Sequence, residues 1–245
     1  VPLYNKAPTL VRTLDSVLNQ IGVEVDVVVV DDSSTDDSVR VAASYESRIR
    51  LVRQENAGPS AARNRGARLA RYPLILFLDA DDALAPGALA AHAQAHAKLP
   101  MAGVSVGSFR LHKLDGSTQE EQLDRRDVRF MATDDVLQAS GLASKLVIFV
   151  PPGAVCMTRE LFDRIGGFDE SLRSWEITDF MLRAGLESPG FAVLAQICAN
   201  IYQTPGSAST ITHKQVVYMA RYCEKALALM PRVPNTEQPA LLLGL

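Results

Sequence analysis

The fold class follows from one stretch of the sequence, VEVDVVVVDD, which occupies residues 23–32. Its second half is an uninterrupted run of valines that ends in two acids, Asp31 and Asp32. A continuous β-branched run of this kind is typical of a strand that is buried on both faces of a parallel sheet. The stretch therefore predicts a buried strand that carries two carboxylates at its C-terminal end.

Strand and helix patterns alternate on both sides of this strand. Apolar residues recur at helical spacing over 8–20, and the polar sequence SSTDDS at 33–38 opens another helix. Further strand patterns follow at 49–54, 74–82 and 103–111. Such alternation predicts an α/β fold, a single Rossmann-like domain with a mainly parallel central sheet flanked by helices.

The second half of the chain is less regular. It is polar at first, and then carries patterns for a short helix at 131–142 and a longer one at 213–230. We therefore expect one domain in two halves, 1–110 and 111–245. Because the opening residues, VPLYN, run at once into a turn, we also expect most of a first strand to precede the given sequence.

Composition excludes several classes of function. The 245 residues, 47% of them hydrophobic, suffice for one substantial core. The net charge of -3 and the lack of a dense basic block argue against a nucleic-acid partner. Three widely spaced cysteines fit neither a disulfide framework nor a zinc site. Without a visible signal peptide or spanning segment, the sequence favours a cytoplasmic location, with peripheral attachment to the inner face of the membrane left open.

A second group of acids ends the strand pattern LFLDADDAL at 76–84. Asp79, Asp81 and Asp82 stand within four residues, where their charges repel unless solvent or a cation neutralises them. Ligands of parallel α/β sheets bind outside the C-terminal ends of the strands, and the pair at 31–32 ends a strand of the same sheet. The two acid groups are therefore expected to converge, either as a solvated strand end or as a metal site.

The motifs, taken in order, resemble those of family 2 glycosyltransferases, the inverting type with the GT-A fold. The matching pieces span nearly the whole chain: PLYNKAPTLVRTLDSVLNQ, VVVVDDSSTDDS, NAGPSAARNRGARLA, LFLDADD and GGFDESL…WEITDFMLR. The resemblance implies a hexosyltransferase that moves a sugar from a nucleotide-diphospho-sugar, with UDP-sugar favoured, to an acceptor hydroxyl. It also implies inversion at the sugar, dependence on a divalent cation, and a place in cell-envelope polysaccharide biosynthesis.

The resemblance assigns the acid cluster to the donor and its cation. It implies that Asp79 faces the ribose side and that Asp81 also lies against the donor. It further implies that Asp81, Asp82 or both contact Mg²⁺ or Mn²⁺. Hard cations of this kind take oxygen ligands from carboxylates and phosphates. His213, before the last predicted helix, is a further candidate ligand, although a lone histidine is more often a surface or capping residue.

The same resemblance places the nucleobase near the start of the chain. It implies that Asp32 accepts a hydrogen bond from the base, and that Pro2 and Tyr4 line the base pocket. The plainer interpretation makes the pair at 31–32 a helix cap. For Arg63, binding the acids at the sheet edge and touching the diphosphate are equally open.

One position departs from the family pattern. In WEITDFMLR, at 175–183, Glu176 matches the family's glutamate, but Ile177 stands where the family has the aspartate that acts as general base. Isoleucine cannot accept a proton, so Glu176 becomes the candidate base. The alternative is a non-catalytic or impaired relative that binds the sugar nucleotide. Trp175 is expected either to stack on an acceptor sugar or to pack in the core.

Two other classes of α/β protein are alternatives: a receiver domain, which also has paired acids after a strand, and a nucleotidyltransferase on a related fold. A phosphate-accepting receiver domain needs a lysine after a late strand, and no suitable lysine is evident. A nucleotidyltransferase predicts a glycine-rich loop with arginine near the first strand, which PLYNKAP at residues 2–8 does not provide. Both are therefore disfavoured.

Overall fold

The first three strands form a parallel sheet. The computed structural model describes residues 1–123, 128–132, 150–204 and 213–229 of the chain. In it β1 (Pro2–Leu3), β2 (Val28–Asp31) and β3 (Arg50–Arg53) pair in that order, all in parallel. Every residue of β2 is buried, which confirms the strand predicted from the valine run.

The second sheet has seven strands of mixed direction among the residues that the structure describes. They are β4 (Leu74–Leu76), β5 (Ala83–Leu84), β6 (Val104–His112), β7 (Thr118–Glu121), β8 (Val128–Ala132), β9 (Val155–Thr158) and β10 (Gly190–Tyr202). The order is β4-β9-β6-β10-β5, with β7 beside β6 and β8 beside β10. Among these described strands only β6 and β10 run parallel.

The strand directions refine the prediction of a mainly parallel sheet. The α/β class and the parallel arrangement of the first strands are as expected, but the second half contributes antiparallel pairs. The reason is connectivity, because β6 turns straight back into β7, and a parallel pair needs a crossover connection, usually a helix. Sequence alternation reveals helices between strands, but it does not reveal which neighbour each later strand chooses.

Helices cover the two sheets. They are α1 (Ala7–Leu18), α2 (Ser38–Ala43), α3 (Pro59–Leu69), α4 (Ala88–Lys98), α5 (Arg159–Arg164), α6 (Glu176–Glu187) and α7 (His213–Leu229). The first and last match the helices predicted at 8–20 and 213–230. The short helix predicted at 131–142 falls outside the described residues except for its first two, which belong to β8. In the described part of the chain, no helix has the length and apolar character needed to cross a bilayer.

An aromatic cluster joins the second sheet to the helices of the later half. The Phe168 and Phe180 rings stack with their centroids 3.9 Å apart, and Phe77 meets Phe168 edge-on at 4.9 Å. Phe77 lies two residues before Asp79, and Phe180 lies in α6, four residues after Glu176. Aromatic packing of this kind stabilises beyond the area it buries, so it fixes α6 against the strand that leads into the acid cluster.

An apolar cavity of about 420 Å³ lies between the two sheets. Residues of β2 and β4 line it, including Val28 and Ile75, but none of the acids at 31–32 or 79–82 does. The division of the chain into two halves stays a prediction.

Candidate functional site

Helix α3 connects the two acid groups that the sequence places at strand ends. The Asp32 carboxylate accepts a hydrogen bond of 2.9 Å from the backbone nitrogen of Gly58, at the start of the helix. One turn further on, Arg63 donates to Asp79 at 2.7 Å. Both acid groups therefore contact one helix, as the predicted convergence requires. The expectation that they end strands of the same sheet was wrong, because β2 and β4 belong to different sheets.

The three acids of the 79–82 cluster have three different partners. Asp79 pairs with Arg63, and the ammonium of Lys6 lies 2.6 Å from Oδ2 of Asp81. Oδ1 of Asp82 accepts a hydrogen bond of 3.0 Å from the backbone nitrogen of Tyr202 in β10. The crowding of carboxylates is thus relieved within the protein by two basic side chains and one backbone donor.

Asp82 differs from its neighbours in being buried. Burial, followed by the nearby charge of Asp79, raises the pKa of Asp82 to about 8. A large fraction of this carboxyl therefore carries a proton at neutral pH. Asp81 is more accessible, with 20% of its side chain exposed, so it is the more suitable cation ligand of the two.

Helix α1 anchors the backbone of the acid cluster. Three consecutive carbonyls accept hydrogen bonds from its side chains: Ala80 from Thr9 at 2.8 Å, Asp81 from Arg12 at 2.6 Å, and Asp82 from Thr13 at 2.7 Å. The sequence patterns did not predict this role. Its signal is the polar triplet Thr9, Arg12 and Thr13, whose spacing of i, i+3 and i+4 places the three side chains on one face of the helix.

Asp32 is committed to the loop that precedes α3. Oδ1 accepts from the Gln54 side chain at 2.8 Å and from the backbone of Ala57 at 2.9 Å, in addition to the Gly58 bond to Oδ2. Gly58 has φ +93°, a backbone conformation that suits glycine. Asp32 therefore shapes the start of α3, and its contact with a nucleobase stays a prediction that uses its remaining lone pairs.

The predicted turn after Pro2 is present. Pro2 pairs with Val30 in the sheet, and the chain then bends through Asn5, which has φ +51°. The Asn5 side-chain oxygen accepts from the backbone of Thr35 at 2.8 Å, which ties this turn to the loop after β2. Tyr4 is 49% exposed at the bend, so its ring is accessible to a ligand, as a base-pocket residue requires.

Arg63 links the donor-side acids to the predicted catalytic residue. It is buried, and its two terminal nitrogens lie 2.7 Å from Asp79 and 2.9 Å from Glu176. Although burial lowers the pKa of Arg63, the two carboxylates raise it well above its ordinary value. Of the two roles left open by the sequence, the structure shows the first, since Arg63 binds acids at the sheet edge.

Helix α6 begins at the position where the sequence departs from the family pattern. Trp175, its N-cap, stacks on Tyr222 of α7 with ring centroids 5.9 Å apart, so it packs against the protein. Ile177 packs against the main hydrophobic core. Glu176 faces Arg63 through Oε1, and no described residue donates to its other oxygen, Oε2. Glu176 therefore has one carboxylate oxygen, Oε2, that is available to a ligand.

Asp179 has a structural role. It accepts two hydrogen bonds from Arg183, of 2.9 and 2.7 Å, and lies 3.2 Å from Lys225 of α7. Arg183 in turn donates to the carbonyls of Ile165 and Gly167. Both oxygens of the Asp179 carboxylate are therefore taken up by ion pairs within the protein.

Cation ligands were predicted at Asp81, Asp82 and His213. His213 begins α7, but its side chain lies outside the described residues. Within the described part of the chain, no three acids, histidines or cysteines converge as a metal site. Asp81 nevertheless fits Mg²⁺ or Mn²⁺ held by one carboxylate and the oxygens of a diphosphate, which is the usual way Mg²⁺ binds beside nucleotides.

Known proteins match this chain in both sequence and fold. The succinoglycan biosynthesis protein ExoO of Rhizobium meliloti is 42% identical over 118 residues, which are 47% of this chain and 34% of that protein. The validoxylamine A glucosyltransferase of Streptomyces hygroscopicus subsp. jinggangensis is 34% identical over 217 residues, covering 78% of this chain and 51% of that protein. The chain thus spans about half or less of these relatives.

The solved structures include the same fold. The crystal structure of S. aureus TarS residues 1–349 in complex with UDP-GlcNAc superposes with a TM-score of 0.73 at 21% identity. The match covers 90% of this chain and 63% of that one, and it confirms the predicted GT-A fold. The family model for glycosyl transferase family 2 matches residues 1–166, more than half of the sequence. This chain therefore belongs to glycosyl transferase family 2.

Proposed function

We propose that the chain is a glycosyltransferase domain that moves a sugar from a UDP-sugar to an acceptor hydroxyl, with inversion and with help from a divalent cation. The observation that carries the proposal is the buried bridge from Asp79 through Arg63 to Glu176. It joins the acid cluster expected to hold the donor to the residue expected to activate the acceptor. Family membership and the UDP-GlcNAc complex of TarS support the choice of donor class.

The donor would lie across the ends of the strands. Tyr4 and Asp32 would contact the base, Asp79 the ribose, and Asp81 the cation. A divalent cation, when bound, neutralises the charge that the diphosphate gains as the sugar departs. The α1 hydrogen bonds to the loop carbonyls keep these carboxylates in place before the donor arrives, so less ordering remains to be done on binding.

Glu176 would act on the acceptor. The acceptor hydroxyl would donate its hydrogen bond to Oε2, while Arg63 fixes Oε1. In one in-line displacement the acceptor oxygen bonds to the anomeric carbon as its proton passes to Glu176. The bond from that carbon to the diphosphate breaks, and its electron pair leaves with UDP. A single displacement inverts the configuration, and a positioned base in such a step contributes roughly 100- to 10,000-fold to the rate.

A second candidate function is donor binding without turnover. Ile177 favours it, since this residue stands at the family's base position and packs into the core. In that case Glu176 and Arg63 would serve only to hold the donor side of the site. The cytoplasmic location and the place in envelope polysaccharide synthesis stay predictions beside both candidates, although the naming of ExoO as a succinoglycan biosynthesis protein is consistent with the latter.

A donor screen separates the two candidates. The whole chain is incubated with a panel of UDP- and GDP-sugars and Mn²⁺, and nucleotide release is measured with water or added saccharides as acceptor. Calorimetry on the same samples measures binding. Release of UDP supports the transferase, whereas UDP binding without release under any acceptor supports the second candidate. If no nucleotide binds, both are wrong.

A further inference from the structure

Lys6 lies at the meeting point of the nucleotide-side turn and the acid cluster. It is the N-cap residue of α1, and its backbone nitrogen donates to the Ser38 hydroxyl at 2.8 Å. From this fixed backbone its side chain crosses to the loop after β4, where the ammonium lies 2.6 Å from Oδ2 of Asp81. The sequence motifs predict no function for Lys6.

The partner of Asp81 differs in kind from the partners of the neighbouring acids. Arg63, which holds Asp79, is 4% exposed and makes a second ion pair, and Asp82 is held by a backbone nitrogen. The Lys6 side chain is 36% exposed and makes this one ion pair among the described residues. Lysine presents a compact charge on a flexible stem, so its ammonium leaves a carboxylate far more easily than a buried, doubly paired guanidinium does.

We propose that Lys6 is a displaceable internal cation that competes with the divalent cation for Asp81. This rests on the proposed function, which makes Asp81 the cation ligand. In the donor-free protein the ammonium neutralises Asp81 and restrains it. A divalent cation that reaches Oδ2 must displace the ammonium from the same oxygen, because two positive charges at that distance repel. Lys6 therefore sets the cation concentration at which the site fills.

The proposal is tested by Mn²⁺ binding, followed by electron paramagnetic resonance of the free ion, in the whole chain. Lys6→Met is expected to bind Mn²⁺ roughly three- to fivefold more tightly, which is the change in affinity that corresponds to the loss of one exposed ion pair. Lys98→Met, at an exposed lysine in the last turn of α4, controls for a general change of charge. Lys6→Gln repeats the measurement if the methionine variant folds poorly, as judged by circular dichroism.

A double-mutant cycle shows whether the effect acts through Asp81. The gain from Lys6→Met should vanish in an Asp81→Asn background. The proposal is overturned if Lys6→Met binds Mn²⁺ no more tightly than the unmodified chain, if Lys98→Met shows an equal gain, or if the gain persists without Asp81. A parallel titration with UDP judges the proposed function separately, since loss of all nucleotide binding leaves the Mn²⁺ comparison intact.

Discussion

Arg63 and Glu176 form a buried ion pair, with 2.9 Å between Nη1 and Oε1, although one lies in α3 and the other begins α6. The same guanidinium reaches Asp79 at 2.7 Å. The first half of the chain thereby holds the candidate base of the second half. One side chain, Arg63, therefore links the donor side and the acceptor side of the proposed reaction. The predictions below follow from this link and from the neighbouring acid cluster at 79–82.

Removal of Arg63 should destabilise the protein strongly. Arg63→Met leaves Asp79 and Glu176 without their shared cation, and breaking a buried pair in this way costs about 3–5 kcal/mol of unfolding free energy. Urea unfolding measures the change. Arg68→Met, at an exposed position of the same helix, should change the free energy by less than about 0.5 kcal/mol. Equal stability of the two variants would show that the bridge is not formed.

Asp82 should make the protein less stable as the pH rises. Its folded pKa of about 8 lies above the ordinary value of 3.8, so the folded state holds the proton more tightly. The stabilisation is complete below about pH 4 and is lost progressively up to about pH 8, on the order of 2–5 kcal/mol in all. Asp82→Asn should remove this dependence of the unfolding free energy on pH, whereas Asp163→Asn, at an exposed position, should keep it. If the unfolding free energy of Asp82→Asn still fell with rising pH by the same amount, the raised pKa of Asp82 would be contradicted.

The hydroxyl of Thr13 should contribute both to the stability of the protein and to donor binding. The side chain is fully buried, and its bond to the Asp82 carbonyl is 2.7 Å long. Thr13→Val keeps the shape but leaves that carbonyl without its donor, at a cost of about 1–3 kcal/mol. It should also raise the KM for the donor, because the acid loop loses one of its three anchors. Thr13→Ser retains the hydroxyl and should restore the KM, and a serine variant as weak as the valine variant would disprove the anchor.

Two adjacent glycines provide a matched test of packing behind the site. Gly166 and Gly167 both have left-handed φ values, of +75° and +71°, so alanine is strained at either position. A Cβ at Gly167 would lie 2.6 Å from Oδ1 of Asn64, whereas one at Gly166 meets nothing within 4 Å. The Asn64 side chain accepts a hydrogen bond from the backbone nitrogen of Phe168 and donates one to the carbonyl of the same residue. Gly167→Ala would disturb both bonds.

Gly167→Ala should therefore be less stable than Gly166→Ala by at least about 1 kcal/mol, since overpacking adds to the common backbone strain. Thermal unfolding of the two variants side by side measures the difference. Equal melting temperatures would mean that the Asn64 side chain moves aside without loss.

The sequence was sufficient for the features that depend on local pattern. The valine run predicted a buried strand, α1 was readable from its apolar spacing, and the ordered motifs led to the family and its fold. Both strand-end acid groups could be located in advance. The rule that ligands bind at the C-terminal ends of parallel strands pointed to both groups. It holds for the acids that end β2, whereas β4, which precedes the 79–82 cluster, lies in the other sheet and pairs antiparallel with β9.

Features that depend on contacts between residues distant in the sequence could not be predicted from local patterns. Nothing local to Arg63 indicates that it bridges two acids, because Glu176 is brought to it by the packing of α6 on the aromatic cluster. The hydrogen bonds from α1 to the loop carbonyls likewise end on backbone atoms, so the polar triplet of α1 marks the donors but not their acceptors. The mixed second sheet arises from the order in which later strands pair, and alternation of patterns does not encode that order.

The central claim is that Glu176 is the base, and turnover of Glu176→Gln tests it most directly. The glutamine keeps the size of the side chain and can still accept a hydrogen bond from Arg63. UDP release from the best donor of the screen is compared with UDP affinity measured by calorimetry, with Ile177→Asp as a companion variant. We predict that Glu176→Gln retains UDP affinity and loses at least about a hundredfold in kcat, and that Ile177→Asp gains little. Full turnover by Glu176→Gln, or a large gain in Ile177→Asp, would contradict the account.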